Sequence, residues 1–235
     1  MKYTFLILLS VVSCSTFAQH DKKHWKSTPM LTTQSFGISM QKFDGLNSSI
    51  AAFPQYKALR ENMGTLSIGS MNIKKNFITG TTLTGGSSMS GDRNKKSSTI
   101  RFVGGQINLG YDLIPGEKFM LYPLAGIGVE AYQAKFYKDN SAVSFNDVLN
   151  SSATQNSIRP VKFTNSFFTY NVGMGFTVKP AKHTGTIGIQ ASYTGSFKDK
   201  AWKSADMQEL AGAPVDKLGR FQVGLIFTGK ANFTK

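Results

Sequence analysis

Three imidazoles are available for acid–base chemistry: His20, His24 and His183. The first two bracket Lys22 and Lys23, which reads as a solvated basic tail, with a metal-binding His pair as the competing reading. His183 falls in the short stretch from Lys179 to Thr184, whose Pro180 and following Gly185 mark a turn. The long polar segments 44–63, 88–97, 137–162 and 198–218 contain no histidine, which argues against a nucleophile activated by His with Asp or Ser in any of them. Asp112 and Glu130 are carboxylates inside strongly alternating runs. They form either a paired acid site or proton path, or a salt bridge or rim contact to Lys or Arg. Gly85-Gly86 and Gly104-Gly105 also lie inside such runs and not at a strand-to-helix turn, so they mark close packing or a bulge and not a phosphate loop. No Walker-type or zinc motif is present, and no cofactor is expected.

The elements that hold these residues are strands. Between 163 and 197, Phe168, Tyr170, Val172, Met174, Phe176 and Val178 alternate with Thr169, Asn171, Gly173, Gly175 and Thr177. After a turn, Ile187, Ile189, Ala191 and Tyr193 alternate with Gly188, Gln190, Ser192 and Thr194. Successive side chains of a strand point to opposite faces. Each run therefore has one apolar face and one uncharged polar face, and is long enough to cross a bilayer as a tilted strand of about 9 to 11 residues. The same test predicts strands near 35–43, 64–73, 76–87, 98–112, 118–136, 163–178, 185–197 and 219–229. In the second, the apolar phase slips near Met71 and Ile73. Tight turns at 74–75, 114–117 and 179–184 alternate with the four long segments, so short connections fall on one side and long ones on the other.

Charge placement selects the solvent. Charged residues are 17% of the chain, yet within conservatively drawn strand cores Asp112 and Glu130 are the only ones, and both lie in the polar phase. A soluble lipocalin-like barrel would turn its apolar face inward and show water a charged exterior. Lipid outside and packed polar side chains inside require this depletion. The expected fold is all-β, a single eight-stranded antiparallel up-and-down transmembrane barrel with short periplasmic turns and long extracellular loops. Its interior is only wide enough for side chains to fill, which argues against an open pore.

At the N-terminus, Lys2 and the apolar run Phe5 to Val12 precede Thr16-Phe17-Ala18, the pattern of a secretory signal cleaved after Ala18. A lipobox-like Val11-Val12-Ser13-Cys14 competes with it; Cys14 is the only cysteine, so cleavage after Ala18 leaves no thiol. The resulting organisation is a signal peptide at 1–18, a periplasmic segment at 19–34, the barrel at 35–230 and a tail at 231–235. The net charge of +14 is dispersed over turns and loops without an aromatic platform, which disfavours nucleic acid.

The loops carry their own expectations. Loop one, Leu46 to Met63, suggests one or two short helices interrupted at Pro54, with Asn47 or Ser48 as cap. Ser204 to Gly212 in loop four reads as a short helix with an N-cap Ser and a terminal Gly. The basic tip Arg93, Lys95 and Lys96 either contacts lipid A phosphates or is a solvated hairpin tip. Ordered loop helices would either bind a partner or plug the barrel mouth.

The leader, the strand and loop rhythm, the YPLAGIGVEAY stretch and the final RFQVGLIF strand resemble the small eight-stranded outer-membrane β-barrel proteins of Gram-negative bacteria, of the Bacteroidota type, over most of the chain from Ser35. The resemblance implies an outer-membrane location. It also implies contact with outer-membrane lipid and lipopolysaccharide, and assembly by the barrel-assembly machinery through a terminal strand whose signal residues correspond to Gln222, Gly224 and Phe227. The aromatic that should follow is Gly229 here, and the chain continues to Lys235. No activity comes with the resemblance. The favoured reading is a non-enzymatic barrel acting through its extracellular loops on an unidentified extracellular or periplasmic partner, in surface interaction, envelope integrity or as an accessory to a transport or secretion complex. The alternatives are a small-ligand carrier or narrow channel, and a lipid-modifying outer-membrane enzyme.

Overall fold

The computed structural model describes residues 30–92, 95–114, 118–178 and 185–230. Eight strands form the wall: β1 Leu31–Gln41, β2 Asn62–Lys74, β3 Phe77–Gly91, β4 Ser97–Tyr111, β5 Phe119–Tyr137, β6 Val161–Val178, β7 Thr186–Ser196 and β8 Gly219–Lys230. Each pairs antiparallel with its sequence neighbour. β1 also pairs with β8, with Phe36 opposite Leu225 and Gly37 opposite Gly224, which closes the sheet and leaves no lateral edge. The alternating phases fall as expected. Phe36, Ile38, Leu66, Ile107, Val129, Phe168, Val172 and Ile189 point outward and are half exposed or more; Ser39, Thr65, Thr84, Thr169 and Asn171 point inward and are buried. So broad an apolar exterior is untenable in water and suits hydrocarbon. Ring pairs such as Phe36 with Phe227, stacked with centroids 5.7 Å apart, knit β1 to β8 on that face.

The slip in the second predicted strand is not a break in the strand. β2 runs unbroken to Lys74, and Met71 and Ile73 point inward. There they join Ile78, Met120, Tyr122 and Leu31 in an apolar cluster at the short-turn end. On β2 and β3 the neighbouring outward positions Ser70, Asn72, Thr79 and Thr81 are polar, and the Ser70 and Thr81 hydroxyls lie 2.9 Å apart. On this part of β2 and β3 the apolar character therefore moves from the outside to the inside, while Phe77 and Leu109 beside it stay outward and exposed. The same inversion hides the start of β1, which begins at Leu31 and not at 35, because Leu31 is inward while Thr32 and Gln34 face out. β2 and β3 are joined at Lys75 and Asn76, both in the left-handed region at φ 54° and 51°, as a two-residue hairpin turn requires.

Two loop expectations are corrected. The segment 88–97 is not a long loop, because β3 and β4 remain paired up to Gly91 with Ser97. The segment Ser204 to Gly212 is not a helix: Lys203 and Ser204 pair with Thr164 and Phe163 of β6, and Met207 adopts φ 63°, a left-handed residue that no helix contains. The expected leader, its Cys14, the three histidines and the tail at 231–235 lie outside the described residues.

Candidate functional site in the lumen and at its mouth

Inward positions paired with glycine make room for large side chains. A Cβ at Gly104 would sit 2.5 Å from Glu130 Cγ, and one at Gly86 would strike the Phe102 ring. Glu130 of β5 and Phe102 of β4 thus lean over glycines on the adjoining strands. Arg220 of β8 spans the lumen to meet them. Its two terminal nitrogens each donate to one Glu130 carboxylate oxygen at 2.6 Å, a bidentate fork with both side chains fully enclosed. The Tyr132 hydroxyl accepts from Arg220 at 2.7 Å and faces two acceptors, Glu130 at 2.7 Å and Gln41 at 2.9 Å. Gln106 donates weakly to the carboxylate at 3.4 Å. Beneath the guanidinium lies the Phe102 ring, 4.1 Å from its centre.

Asp112 takes no part in this network. It follows β4 at the short-turn end, where its carboxylate accepts from the Ile114 backbone at 3.2 Å and its own N–H reaches the Asn76 carbonyl at 2.8 Å. Arg220 was absent from the sequence-level candidates, although it lies in the polar phase of the last strand, two residues before Gln222. Of the basic tip, Arg93 lies outside the described residues, and Lys96 donates to the Pro54 carbonyl at 3.0 Å.

Below the ion pair, Thr33, Ser67, Gln106, Asn108, Asn171 and Gln222 surround a polar chamber of about 50 Å³. That volume holds roughly four waters and is well below the roughly 300 Å³ at which ligand pockets begin. The apolar cluster of Met71, Ile78, Met120 and Tyr122 forms its floor.

The mouth is filled as well. Helix α1, Asp44–Ala51, ends ahead of Pro54 as expected and buries Leu46 and Ile50. These pack with Phe43, Leu59, Trp202 and Leu218 onto the inward Ile100, Tyr132, Phe136 and Phe167. Neither Asn47 nor Ser48 caps this helix. Its first amides are taken by Asp216 of loop four, whose carboxylate accepts from Gly45 at 2.7 Å and Leu46 at 3.1 Å, the favourable placement of a negative charge at a helix start. The same carboxylate accepts from the Trp202 indole at 2.6 Å. Asn47 instead clamps the returning chain, exchanging hydrogen bonds with both backbone groups of Leu59. Loops one and four are thus a single folded lid.

Loop three contains two short helices that the sequence reading missed, α2 Phe145–Asn150 and α3 Ser152–Ser157, neither with a buried residue. Phe145 and Leu149, one turn apart, are 74% and 62% exposed. Nearby, hydrogen bonds from Ser141 hold the Asp139 carboxyl below its usual range. This is a local turn around an exposed carboxylate, not a nucleophile and base. The described residues contain no histidine and bring no three His, Cys, Asp or Glu side chains together.

A family model, the outer membrane protein beta-barrel domain, matches residues 4–226. No curated protein matches the chain. Among solved structures, the chain is similar to Ail, the attachment invasion locus protein of Yersinia pestis, in complex with the heparin analogue sucrose octasulfate. The identity is 16%, over 85% of this chain and 99% of that one, with a TM-score of 0.45. Neisserial surface protein A matches at 7% identity over 87% and 97%, TM-score 0.47. The outer membrane protease OmpT from Escherichia coli matches at 7% over 88% and 97%, TM-score 0.39.

Proposed function

Because the chain belongs to the outer membrane protein beta-barrel domain family and spans the outer membrane, we propose that it acts without catalysis, as a surface-interaction protein whose extracellular loops are the working part. The observation that carries this reading is the lid: loops one and four bury thirteen wall and loop side chains, from Phe43 to Leu218, in one core across the mouth. A lid fixed in this way is a preformed platform, and loop three adds the uncovered Phe145 and Leu149. A channel is disfavoured by apolar layers above and below the chamber, and a small-ligand carrier by the chamber's size. A lipid-modifying enzyme is disfavoured because no base is set against a nucleophile at the rim among the described residues. The chain reaches its place through a leader cleaved after Ala18. In β8, Gln222 and Gly224 face inward and Phe227 outward, the residues on which the assembly machinery would act.

Full-length protein in nanodiscs tests this. Bilayer conductance should stay at baseline, and panels of lipid and peptide ester or amide substrates should be left intact. Photo-crosslinkers at Phe145 and Leu149 on intact cells should capture a discrete non-lipid species that a crosslinker at Val172 does not. Steady conductance, turnover of any substrate, or identical capture at all three positions would displace the proposal.

A further inference from the structure

The wall carries a cationic row at its extracellular end. Arg101 of β4, Lys135 of β5 and Lys162 of β6 all occupy outward positions of their strands. Lys135 and Lys162 are direct cross-strand partners. Arg101 stands diagonally across from Lys135, since Thr99 is Lys135's partner and Gln133 is Arg101's. None of the three has a carboxylate partner among the described residues. Like charges set directly opposite on a sheet, with Cβ atoms about 5 Å apart, repel and destabilise the pair, so the arrangement calls for an anion between them.

The surface next to the row specifies what else that anion carries. Val103, the next outward residue below Arg101, is 53% exposed; on β5 and β6 the outer face is polar or small through Gln133, Ala131, Thr164 and Ser166 and turns apolar at Val129 and Phe168, 56% and 52% exposed. A groove of about 1,040 Å³ opens beside Arg101 at its ladder partner Ser87 and at Val103, and crosses the outer face of β3, β2, β1 and β8. Outward Gly85 and Gly64 deepen it, and nothing stands within 4 Å of where a Gly64 Cβ would be. A cation at the edge of an apolar groove, with two more on the next two strands away from it, matches an amphiphile with an anionic head. Three cations spread over three adjacent strands exceed what one monoanionic phosphate neutralises.

We propose that Arg101, Lys135 and Lys162 are the headgroup site for a bisphosphorylated outer-leaflet lipid, lipid A, with one acyl chain lying in the groove lined by Gly64 and Gly85. The site rests on the outer-membrane placement and is independent of the loop reading. It makes the opposed lysines a liability without the lipid and an asset with it.

The test measures the melting temperature of the full chain by heat-modifiable gel mobility. Wild type, Lys162→Gln, Lys135→Gln/Lys162→Gln, Arg101→Gln and, as control at the opposite end of the barrel, Lys118→Gln are compared in a neutral detergent with and without bisphosphoryl lipid A. Without lipid, Lys162→Gln should melt above wild type because one repulsion is gone. With lipid A the order should reverse, and apparent lipid affinity should fall about fivefold for each cation removed, while Lys118→Gln follows wild type. Lys162→Gln shifting the same way in both conditions overturns the proposal. So does equal stabilisation by dephosphorylated lipid A, by phosphatidylglycerol or by inorganic phosphate, which would reduce the row to an apolar contact, a general surface-charge effect or a free-anion site.

Discussion

Replacing Arg220 by Met keeps most of the side-chain volume and removes the guanidinium, so the cost measures the lumen's electrostatics. Glu130 would lose both 2.6 Å bonds and retain Tyr132 at 2.7 Å and Gln106 at 3.4 Å. An enclosed carboxylate stripped of its cation costs about 3 to 5 kcal/mol, and the lost contact with the Phe102 ring adds about 0.5 to 2 kcal/mol. Glu130→Gln strands the guanidinium instead, softened by the one carbonyl that glutamine offers, and should cost about 3 kcal/mol. The double variant removes both charges and should be more stable than Arg220→Met alone, with a coupling of about 3 kcal/mol. Urea titrations in lipid vesicles, in a Trp25→Phe background so that emission reports the buried Trp202, and followed also by gel mobility, measure all four corners of the cycle. Single variants costing under about 1 kcal/mol, or an additive double, would mean that bulk water screens the pair, and the sealed lumen would be refuted along with the magnitude.

Adjacent glycines should respond oppositely. Gly104→Ala meets Glu130 Cγ and should cost about 1 to 3 kcal/mol in the same titration, whereas Gly105→Ala, outward with nothing within 4 Å, should be nearly neutral. Asp216→Asn turns one of two acceptors toward N–H groups with a donor, at about 1 to 3 kcal/mol for the lid. Trypsin should then cut after Lys57 or Arg60 while the barrel keeps its folded mobility. Phe227→Asp puts a carboxylate on the lipid face and removes the stack on Phe36. It should lower folded yield in the outer membrane far more than Thr228→Asp, which faces inward and can still accept from the Thr186 backbone; equal yields would show that the phase of β8 is misassigned.

The wall was legible because its two environments, lipid and packed lumen, impose period-2 alternation on most of the strands. It became illegible wherever the environments exchanged places. Leu31, Met71 and Ile73 turn inward at the periplasmic floor, which reads as a phase slip or as no strand at all. The upper part of the β3–β4 hairpin carries Ser87, Ser88, Ser90, Ser97 and Ser98 on both faces with a single apolar Met89 among them, so no sustained alternation survives. Arg220 sat in the correct phase and was missed because the strand core was drawn one residue short. The lid was beyond reach for a different reason. Asp216 meets Gly45 across 171 positions, and nothing local to loop four announces that its carboxylate serves the helix of loop one. Without that partner the Ser204 to Gly212 composition does resemble a capped helix.

The lid and the ion pair depend on each other. Tyr132 belongs to both, since its ring packs against Phe43, Phe102 and Phe167 in the mouth core while its hydroxyl bonds Glu130 and Arg220. A guanidinium and a carboxylate are worth holding together only where water is kept out, and the apolar lid excludes it from above. In return, the pair ties β8 to β5 across the lumen and fixes the strands on which the lid rests. Loosening the lid should therefore weaken the charge pair. In the Asp216→Asn background the Arg220→Met penalty should fall toward the roughly 0 to 1 kcal/mol of an exposed pair. An undiminished penalty in the double variant would show that the chamber is sealed by the wall alone.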